Sequence, residues 1–285
     1  MQKSRKKFWI VFTSIIASVV LLVLACGLLT KLKTVTVEFR TRANADYTML
    51  QEGVLDKVES TGEFNYKKSV LFMNFEDNIE KIEKSNPYIK VEQIIRHFPN
   101  IVKVYVSERI PKFRVRDEQD AGKWYILDAD FKVLDMVTGG EAAVKEQNYG
   151  KNSSFYDATV EIDPTTFKVT AHIGSFVQND AIKNNLNEIA SGVISTLGDI
   201  KLVKSVSVSS SNFILTMKNS GINNDNGCEI MIESGKNLKA KAQAGALAYA
   251  AATDSNQAVD LSGKIITITY QNGSYLGIMS DKETV

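Results

Sequence analysis

The sequence contains few of the side chains on which most metal and catalytic sites depend. It has two cysteines, Cys26 and Cys228, and two histidines, His97 and His172, in 285 residues. These four residues lie far apart in the chain, and no set of them has the spacing of metal ligands. The sequence therefore predicts no metal and no cofactor.

The charge also lacks a dominant sign. Lys and Arg number 34 against 33 Asp and Glu, for a formal net charge of +1. Such a chain has no overall field that would attract nucleic acid. The patterns G-x-S-x-G, H-E-x-x-H and the Walker phosphate loop are missing as well. Ser4 and Lys7 have the spacing of a penicillin-binding serine motif but precede any folded part. The prediction is a protein that is not an enzyme.

One long apolar run is present, at residues 8–30, and it carries no charge. A helix of about 23 residues is roughly 34 Å long, which is enough to cross the hydrocarbon core of a bilayer. Basic residues in the preceding tail, 1–7, place that tail in the cytoplasm by the positive-inside rule, and the chain from about residue 31 outside. Because Cys26 lies inside the run, it is not expected to form a disulfide with Cys228.

Two processed forms compete with a retained helix. A signal peptide usually has an apolar core of about 7–15 residues, shorter than this run. Val23–Gly27 resembles a lipobox, which would make Cys26 a lipidated N-terminus. However, Leu24 is bulky for that pattern and apolar residues continue after Cys26. A single-pass membrane protein is the prediction, and a surface lipoprotein or exported ligand-binding module anchored at Cys26 is the alternative.

Residues 34–114 predict a small α+β domain. The predicted strands are Thr34–Phe39, Ile89–Arg96 and Val102–Val106, and the predicted helices cover 50–58 and 75–82. Asn86-Pro87 ends the second helix, because the residue before proline avoids the helical region. The order strand–helix–helix–strand–strand predicts two helices on one face of a three-stranded sheet.

Residues 120–271 predict a mixed, β-rich domain with flanking helices, so that the fold class of the whole chain is α+β. Its predicted strands lie within 124–134, 160–169, 203–208, 213–217, 228–233 and 265–270, and its helices cover 180–197 and 238–252. Asp128 and Asp130 are interpreted as turn residues and not as an acid–base pair.

Three polar stretches predict irregular structure. Arg114–Lys123 is charged and predicts a connection, and Gly139–Asp157 is rich in Gly, Asn and Ser and predicts a loop. Asn272-Gly273 predicts a turn, and residues 272–285 predict a C-terminal tail whose end frays.

Several short motifs resemble the FtsQ/DivIB family of bacterial cell-division proteins. They are Pro87-Tyr88-Ile89, Arg96-His97-Phe98-Pro99-Asn100 and the run from Val104 to Pro111, followed later by Ile230-Met231-Ile232, Gly235, Leu238-Lys239-Ala240-Lys241 and Val259-Asp260-Leu261. In the family, the first three punctuate a POTRA domain that follows a single transmembrane helix. The resemblance covers most of residues 8–270, and is weakest over 135–180.

The resemblance implies a POTRA-like domain, a β domain and a non-catalytic scaffold role in the division machinery. It implies a cell-membrane protein at the division septum that binds membrane partners similar to FtsL and FtsB/DivIC and helps recruit or regulate a septal penicillin-binding protein. The family's partner edge corresponds here to Val259, Asp260, Leu261, Ile265, Ile266, Thr267, Ile268, Thr269 and Tyr270. A strand edge suits this role because its free N–H and C=O groups can pair with another chain.

Overall fold

The structure is a computed structural model that describes residues 2–44, 47–150, 153–219, 227–253 and 260–282. Its helices are α1 (Gln2–Leu29), α2 (Val54–Thr61), α3 (Glu76–Ser85), α4 (Gly140–Glu146), α5 (Phe155–Ala158), α6 (Asp180–Leu197) and α7 (Leu238–Thr253), with a 3-10 turn at Val70–Phe72. Its strands are β1 (Thr34–Thr41), β2 (Ile89–His97), β3 (Ile101–Glu108), β4 (Phe113–Arg116), β5 (Lys123–Leu127), β6 (Val133–Thr138), β7 (Asn148–Tyr149), β8 (Ser153–Ser154), β9 (Val160–Ile162), β10 (Val203–Val208), β11 (Asn212–Met217), β12 (Glu229–Glu233), β13 (Lys264–Gln271) and β14 (Ser274–Asp281). The predicted α+β class is confirmed.

The apolar N-terminal run forms a continuous helix, α1. Its segment Trp9–Leu29 has 21 residues, a mean hydropathy of 2.7 and no burial against the rest of the chain. At 1.5 Å per residue, 21 residues give a length of about 32 Å, close to the thickness of a bilayer's hydrocarbon core. By length and composition, α1 is long and apolar enough to span a membrane, as a single-pass anchor requires.

The chain divides into two compact units. The first contains Met1–Arg42 and Leu50–Glu108, and the second contains Ala43–Met49 and Arg109–Val285.

The first unit has a three-stranded sheet in the order β1-β3-β2. β1 runs parallel to β3, and β2 pairs antiparallel with β3. Val102, Val104 and Val106 alternate along β3 with no exposed surface, and they form one core with apolar residues of α2 and α3. The two helices contact β1 and β2, respectively.

The second unit has a nine-stranded sheet in the order β14-β13-β12-β11-β10-β9-β4-β5-β6. Helices α6 and α7 pack against each other, and α7 also packs on β12, β13 and β14. The helices approach closely because glycine stands at the contact. A Cβ added to Gly192 of α6 would lie 2.4 Å from the carbonyl oxygen of Lys239 on α7, far inside van der Waals distance. Gly245 likewise lets α7 lie close to Ile230 of β12. Small residues of α7 thus pack closely on the sheet.

The prediction of a loop at Gly139–Asp157 is wrong for its described residues. They form α4, the short β7–β8 hairpin and α5. Val144, Tyr149 and Phe155 bury their side chains in a small cluster with Trp124. Polar composition suggested a loop, but a few large apolar side chains are enough to form a satellite core of this kind.

The prediction of a connection at Arg114–Lys123 is wrong at both ends. Phe113–Arg116 is β4 and Lys123 begins β5. Charged residues usually indicate a solvent-exposed segment. The Arg114 side chain, however, is 1% exposed and donates to the carbonyl oxygens of Tyr156 and Thr159. A buried cation is tolerated when acceptors surround it, and the sequence does not show those acceptors.

Asp117, in the turn between β4 and β5, gives a pH-dependent prediction. Its carboxylate accepts a hydrogen bond from the Tyr125 hydroxyl and from the amides of Gln119 and Asp120, both at 2.8 Å. The Tyr125 bond is the main cause that lowers the pKa of Asp117 to about 2. Because the pKa is lower folded than unfolded, this stabilisation is present above about pH 4 and is lost as pH falls towards 2.

Asp117→Asn should therefore flatten the fall in the free energy of unfolding between about pH 4 and pH 2. Urea unfolding of both proteins at several pH values measures the difference. Parallel pH dependence in the two proteins would contradict the assignment to Asp117.

Candidate partner-binding edge

The predicted partner-binding residues fall in the turn before β13 and in β13 itself. Val259 lies outside the described residues. Asp260 and Leu261 precede the strand, and 265–270 form its centre. β13 is not a sheet edge, because β12 pairs with it in parallel on one side and β14 pairs antiparallel on the other.

The side chains of β13 alternate between two environments. Ile266 has no exposed surface and Ile268 packs against the same core, so these two residues support the fold. Ile265, Thr267 and Thr269 point to the opposite face, since successive strand residues alternate. Tyr270 lies on the same face as Ile266 and Ile268, but at the end of the strand, where it is 65% exposed. Its ring contacts that of Tyr275, with centroids 5.0 Å apart.

Asp260 and Leu261 anchor the chain where it enters β13. The Asp260 carboxylate accepts from the Ser262 amide at 2.8 Å and from the Asn219 side-chain amide at 3.1 Å. The Ser262 bond is the main cause that lowers the pKa of Asp260. Leu261 is 4% exposed and lies in the core. Both residues therefore stabilise the start of the strand. Leu261 offers little surface to a partner, whereas Asp260 is exposed.

The edge strand is β14, which the sequence analysis predicted as a fraying tail. That prediction is wrong for Ser274–Asp281, which pairs with β13 along its whole length. The connection is a two-residue turn in which Asn272 and Gly273 both have positive φ, 50° and 83°. This is the type I′ geometry that favours tight hairpins, and Asn-Gly is its preferred sequence. The Asn-Gly signal, followed by the largely apolar run from Tyr275 to Met279, could have identified the strand.

The register shows which backbone groups of β14 face outwards. The Lys282 amide donates to the Gly263 carbonyl, and Gln271 pairs with Ser274 across the turn. In an antiparallel ladder, hydrogen-bonded pairs recur at every second residue. The even-numbered residues from 274 to 280 therefore bond to β13, and Lys282 continues the pattern to Gly263. The N–H and C=O groups of Tyr275, Gly277, Met279 and Asp281 point away from it.

Apolar side chains accompany these outward backbone groups. Leu276 and Ile278 are each 46% exposed and share a face with Thr269 and Thr267, their partners across the ladder. An exposed edge strand with apolar side chains is a site where another strand can add to the sheet.

Helix α7 holds the edge strand in place from the other face. A Cβ added to Gly277 would lie 2.7 Å from the Ala244 carbonyl oxygen and 2.8 Å from the Ala248 Cβ. Glycine at this position lets β14 lie directly under the helix. The open edge is therefore a supported, packed strand.

The opposite end of the sheet is partly covered. β6 is the last strand at this end of the sheet. Residues 174–175 lie along the start of β6, where the Val133 amide donates to the Ser175 carbonyl and the Val133 carbonyl accepts from the Gly174 amide. Within the described residues, β14 has no such cover. Among the residues that the structure describes, the two ends of the sheet are thus unequal, and only the β6 end is covered.

A second prediction concerns Cys228, which immediately precedes β12. Its side chain has no exposed surface, and burial raises the pKa of the thiol to about 11. At pH 8 that pKa lowers the thiolate fraction by about two orders of magnitude relative to an ordinary cysteine. In a Cys26→Ala protein, Cys228 should react with a thiol reagent only after denaturation. Rapid reaction of the folded protein would contradict its burial.

The aspartates that could suggest chemistry have structural roles. Asp128 is buried, its carboxylate lies 2.6 Å from Arg109, and it accepts from the amides of Asp130 and Lys132. The turn interpretation was therefore right but omitted the ion pair with Arg109. Among the described residues, no group of three or more His, Cys, Asp and Glu side chains could hold a metal ion.

Comparison with known proteins gives no assignment. A scan of protein-family models finds no match to this chain, and a search of curated proteins finds none either.

Proposed function

We propose that this protein is a membrane-anchored, non-catalytic scaffold of the bacterial division machinery, of the FtsQ/DivIB kind. α1 anchors it with the N-terminal tail in the cytoplasm, and the two folded units lie outside the membrane. It links small membrane proteins similar to FtsL and FtsB/DivIC and helps to recruit or regulate septal wall synthesis.

The observation that carries the proposal is the open, supported edge of β14. Four residues direct backbone donors and acceptors outwards, and exposed Leu276 and Ile278 lie beside them. An extended segment of a partner can add to such an edge through main-chain hydrogen bonds, while side-chain contacts select the sequence. The binding edge proposed from the sequence is thus moved one strand outwards, from β13 to β14.

The arrangement of the first unit adds support. Its elements follow in the order strand, helix, 3-10 turn, helix, strand, strand. The family-like motifs fall at its boundaries: Pro87-Tyr88-Ile89 enters β2, and Phe98-Pro99-Asn100 forms the turn between β2 and β3. The positions of these motifs, at a strand start and in a turn, support the proposal of a POTRA-like domain.

The test is imaging of the protein with a fluorescent tag on its cytoplasmic N-terminus in dividing cells. The proposal expects a band at midcell before constriction begins. A uniform membrane signal would contradict the division role. A tag separated from the folded units would contradict the retained anchor and favour the lipoprotein anchored at Cys26.

A further inference from the structure

Three large apolar side chains lie exposed on the first unit: Leu71, Phe72 and Phe98, at 45%, 73% and 71% of their full exposure. Phe72 and Phe98 are the two most exposed phenylalanines outside α1 among the described residues. Solvent contact with such side chains is unfavourable, so a cluster of them indicates a surface that another phase or molecule covers.

The strand register places Phe98 at the end of the sheet nearest α1. β1 begins at Thr34, and Thr34 pairs with Ile101, the first residue of β3. Ile101 also pairs with His97, the last residue of β2. The turn that contains Phe98 therefore lies where the chain enters the sheet from α1. The Asn100 carbonyl accepts from the Lys33 amide at 2.8 Å, which fixes this proximity.

Hydrogen bonds attach the segment that carries Leu71 and Phe72 directly to the end of α1. The Val70 amide donates to the Thr30 carbonyl at 2.8 Å, and the hydroxyls of Thr30 and Ser69 lie 2.6 Å apart. The Leu32 amide donates to the Lys68 carbonyl at 3.0 Å. Leu71 and Phe72 are thus one and two residues from a segment that contacts the first residue after α1.

Arg96 holds this segment in its shape. Its guanidinium donates to the carbonyls of Val70 and Met73, at 3.0 and 2.6 Å, on either side of Leu71 and Phe72. The same group lies 4.9 Å from the ring of Phe75. The two exposed side chains therefore project from a turn that is fastened at both ends.

The length of α1 determines where this surface lies relative to the lipid bilayer. Trp9–Leu29 matches the hydrocarbon thickness of about 30 Å, so Leu29 ends at the boundary of the acyl region. The polar headgroup layer beyond it is about 5–7 Å thick on each side. Because Thr30 hydrogen-bonds to Ser69 and Val70, the turn that bears Phe72 lies at the level of this layer.

Basic residues lie close to the apolar cluster in the chain. Lys31, Lys33, Lys67 and Lys68 are all exposed and lie in the same two segments. Aromatic side chains and lysines are the residues that favour the membrane interface, where rings enter the acyl boundary and ammonium groups meet lipid phosphates.

We propose that Leu71, Phe72 and Phe98 form an interfacial foot that inserts into the outer leaflet beside α1, with Lys31, Lys33, Lys67 and Lys68 at the level of the lipid phosphates. The partner of this surface is the phospholipid bilayer. The continuity of the foot with the end of α1 favours lipid over a protein partner. This inference depends on α1 as a membrane anchor and not on the division role.

The experiment measures the depth of Phe72 and Phe98 in full-length protein. Phe72→Cys and Phe98→Cys are made in a Cys26→Ala chain, and each new cysteine is labelled with an environment-sensitive fluorophore. The Cys26→Ala chain without a new cysteine, which retains the buried Cys228, gives the background fluorescence. Each protein is placed in nanodiscs of phosphatidylcholine and phosphatidylglycerol, with or without lipids that carry a nitroxide quencher at the upper acyl chain.

Lys84→Cys provides the matched control. Lys84 is exposed at the end of α3, shortly before Ile89, which pairs with Glu108 at the opposite end of the sheet. If the foot inserts, the nitroxide lipids should lower the fluorescence of labels at residues 72 and 98 by at least about twofold. They should change the fluorescence of a label at residue 84 very little, because only the foot enters the membrane interface. Equal quenching at 72, 98 and 84 would overturn the proposal. Loss of the protein from the nanodiscs on alkaline extraction would instead overturn the anchor on which it rests.

Discussion

Arg114→Ala is expected to lower the free energy of unfolding by about 3–5 kcal/mol, because it removes one partner of a buried ion pair. The guanidinium donates to the Thr159 carbonyl at 2.6 Å, to the Tyr156 carbonyl at 3.1 Å and to the Glu161 carboxylate at 3.2 Å. It also lies 4.4 Å from the Tyr156 ring centroid. The substitution would remove the guanidinium from the Glu161 carboxylate and the Thr159 carbonyl and open a cavity beside the Tyr156 ring.

Chemical denaturation and thermal melting measure this effect, and the melting temperature should fall by roughly 10 °C. The matched control is Arg114→Met with Glu161→Gln, which fills the space and removes both charges together. A double change of this kind is expected to cost clearly less than Arg114→Ala. A cost below about 1 kcal/mol for Arg114→Ala would mean that the guanidinium is not buried in solution.

Met279→Pro is expected to weaken capture of a strand-donating partner by at least about tenfold, since it removes an outward N–H and crowds the incoming strand. The backbone of Met279 faces away from β13, so the hydrogen bonds between β13 and β14 remain. Co-purification with the proposed FtsL-like and FtsB/DivIC-like partners, or titration with the extracellular segment of such a partner, measures the loss.

The matched control is Met279→Ala, which removes the same side chain from its place beside α7 but retains the N–H group. Partner capture should survive Met279→Ala, and both variants should remain folded by circular dichroism. If Met279→Pro binds as well as the parent protein, the β14 edge is not the binding surface. If both variants lose binding equally, the side chain and not the backbone edge makes the contact.

Much of the fold follows from local signals in the sequence. α6 has the predicted bounds, because Asn179 caps its start by accepting from the Ile182 amide and Gly198 ends it with positive φ. The alternating strands β3 and β11 were also predicted, since one face of each is buried and the period of two is clear. Both signals depend only on residues close together in the chain.

The features that the sequence did not predict depend on residues that lie far apart in the chain. Arg114 reads as a solvent-exposed residue until Glu161 and the Thr159 carbonyl, more than 40 residues later, are placed around it. The edge was misplaced for a similar reason. β13 has the stronger apolar pattern, whereas β14 contains a glycine and two serines, and only pairing shows that β14 is outermost.

The hydrogen bonds between the end of α1 and the first unit also limit how far the first unit can move relative to α1. Only residues 30–33 separate α1 from β1, and the backbone of Thr30, Leu32 and Lys33 is bonded to the folded unit. No flexible tether remains at this junction, and a tether's length is what sets the volume that an attached domain explores. With α1 in a membrane, as proposed, the first unit would be confined to a thin layer above the lipid, and a partner anchored in the same membrane would meet it by lateral diffusion at a high effective concentration.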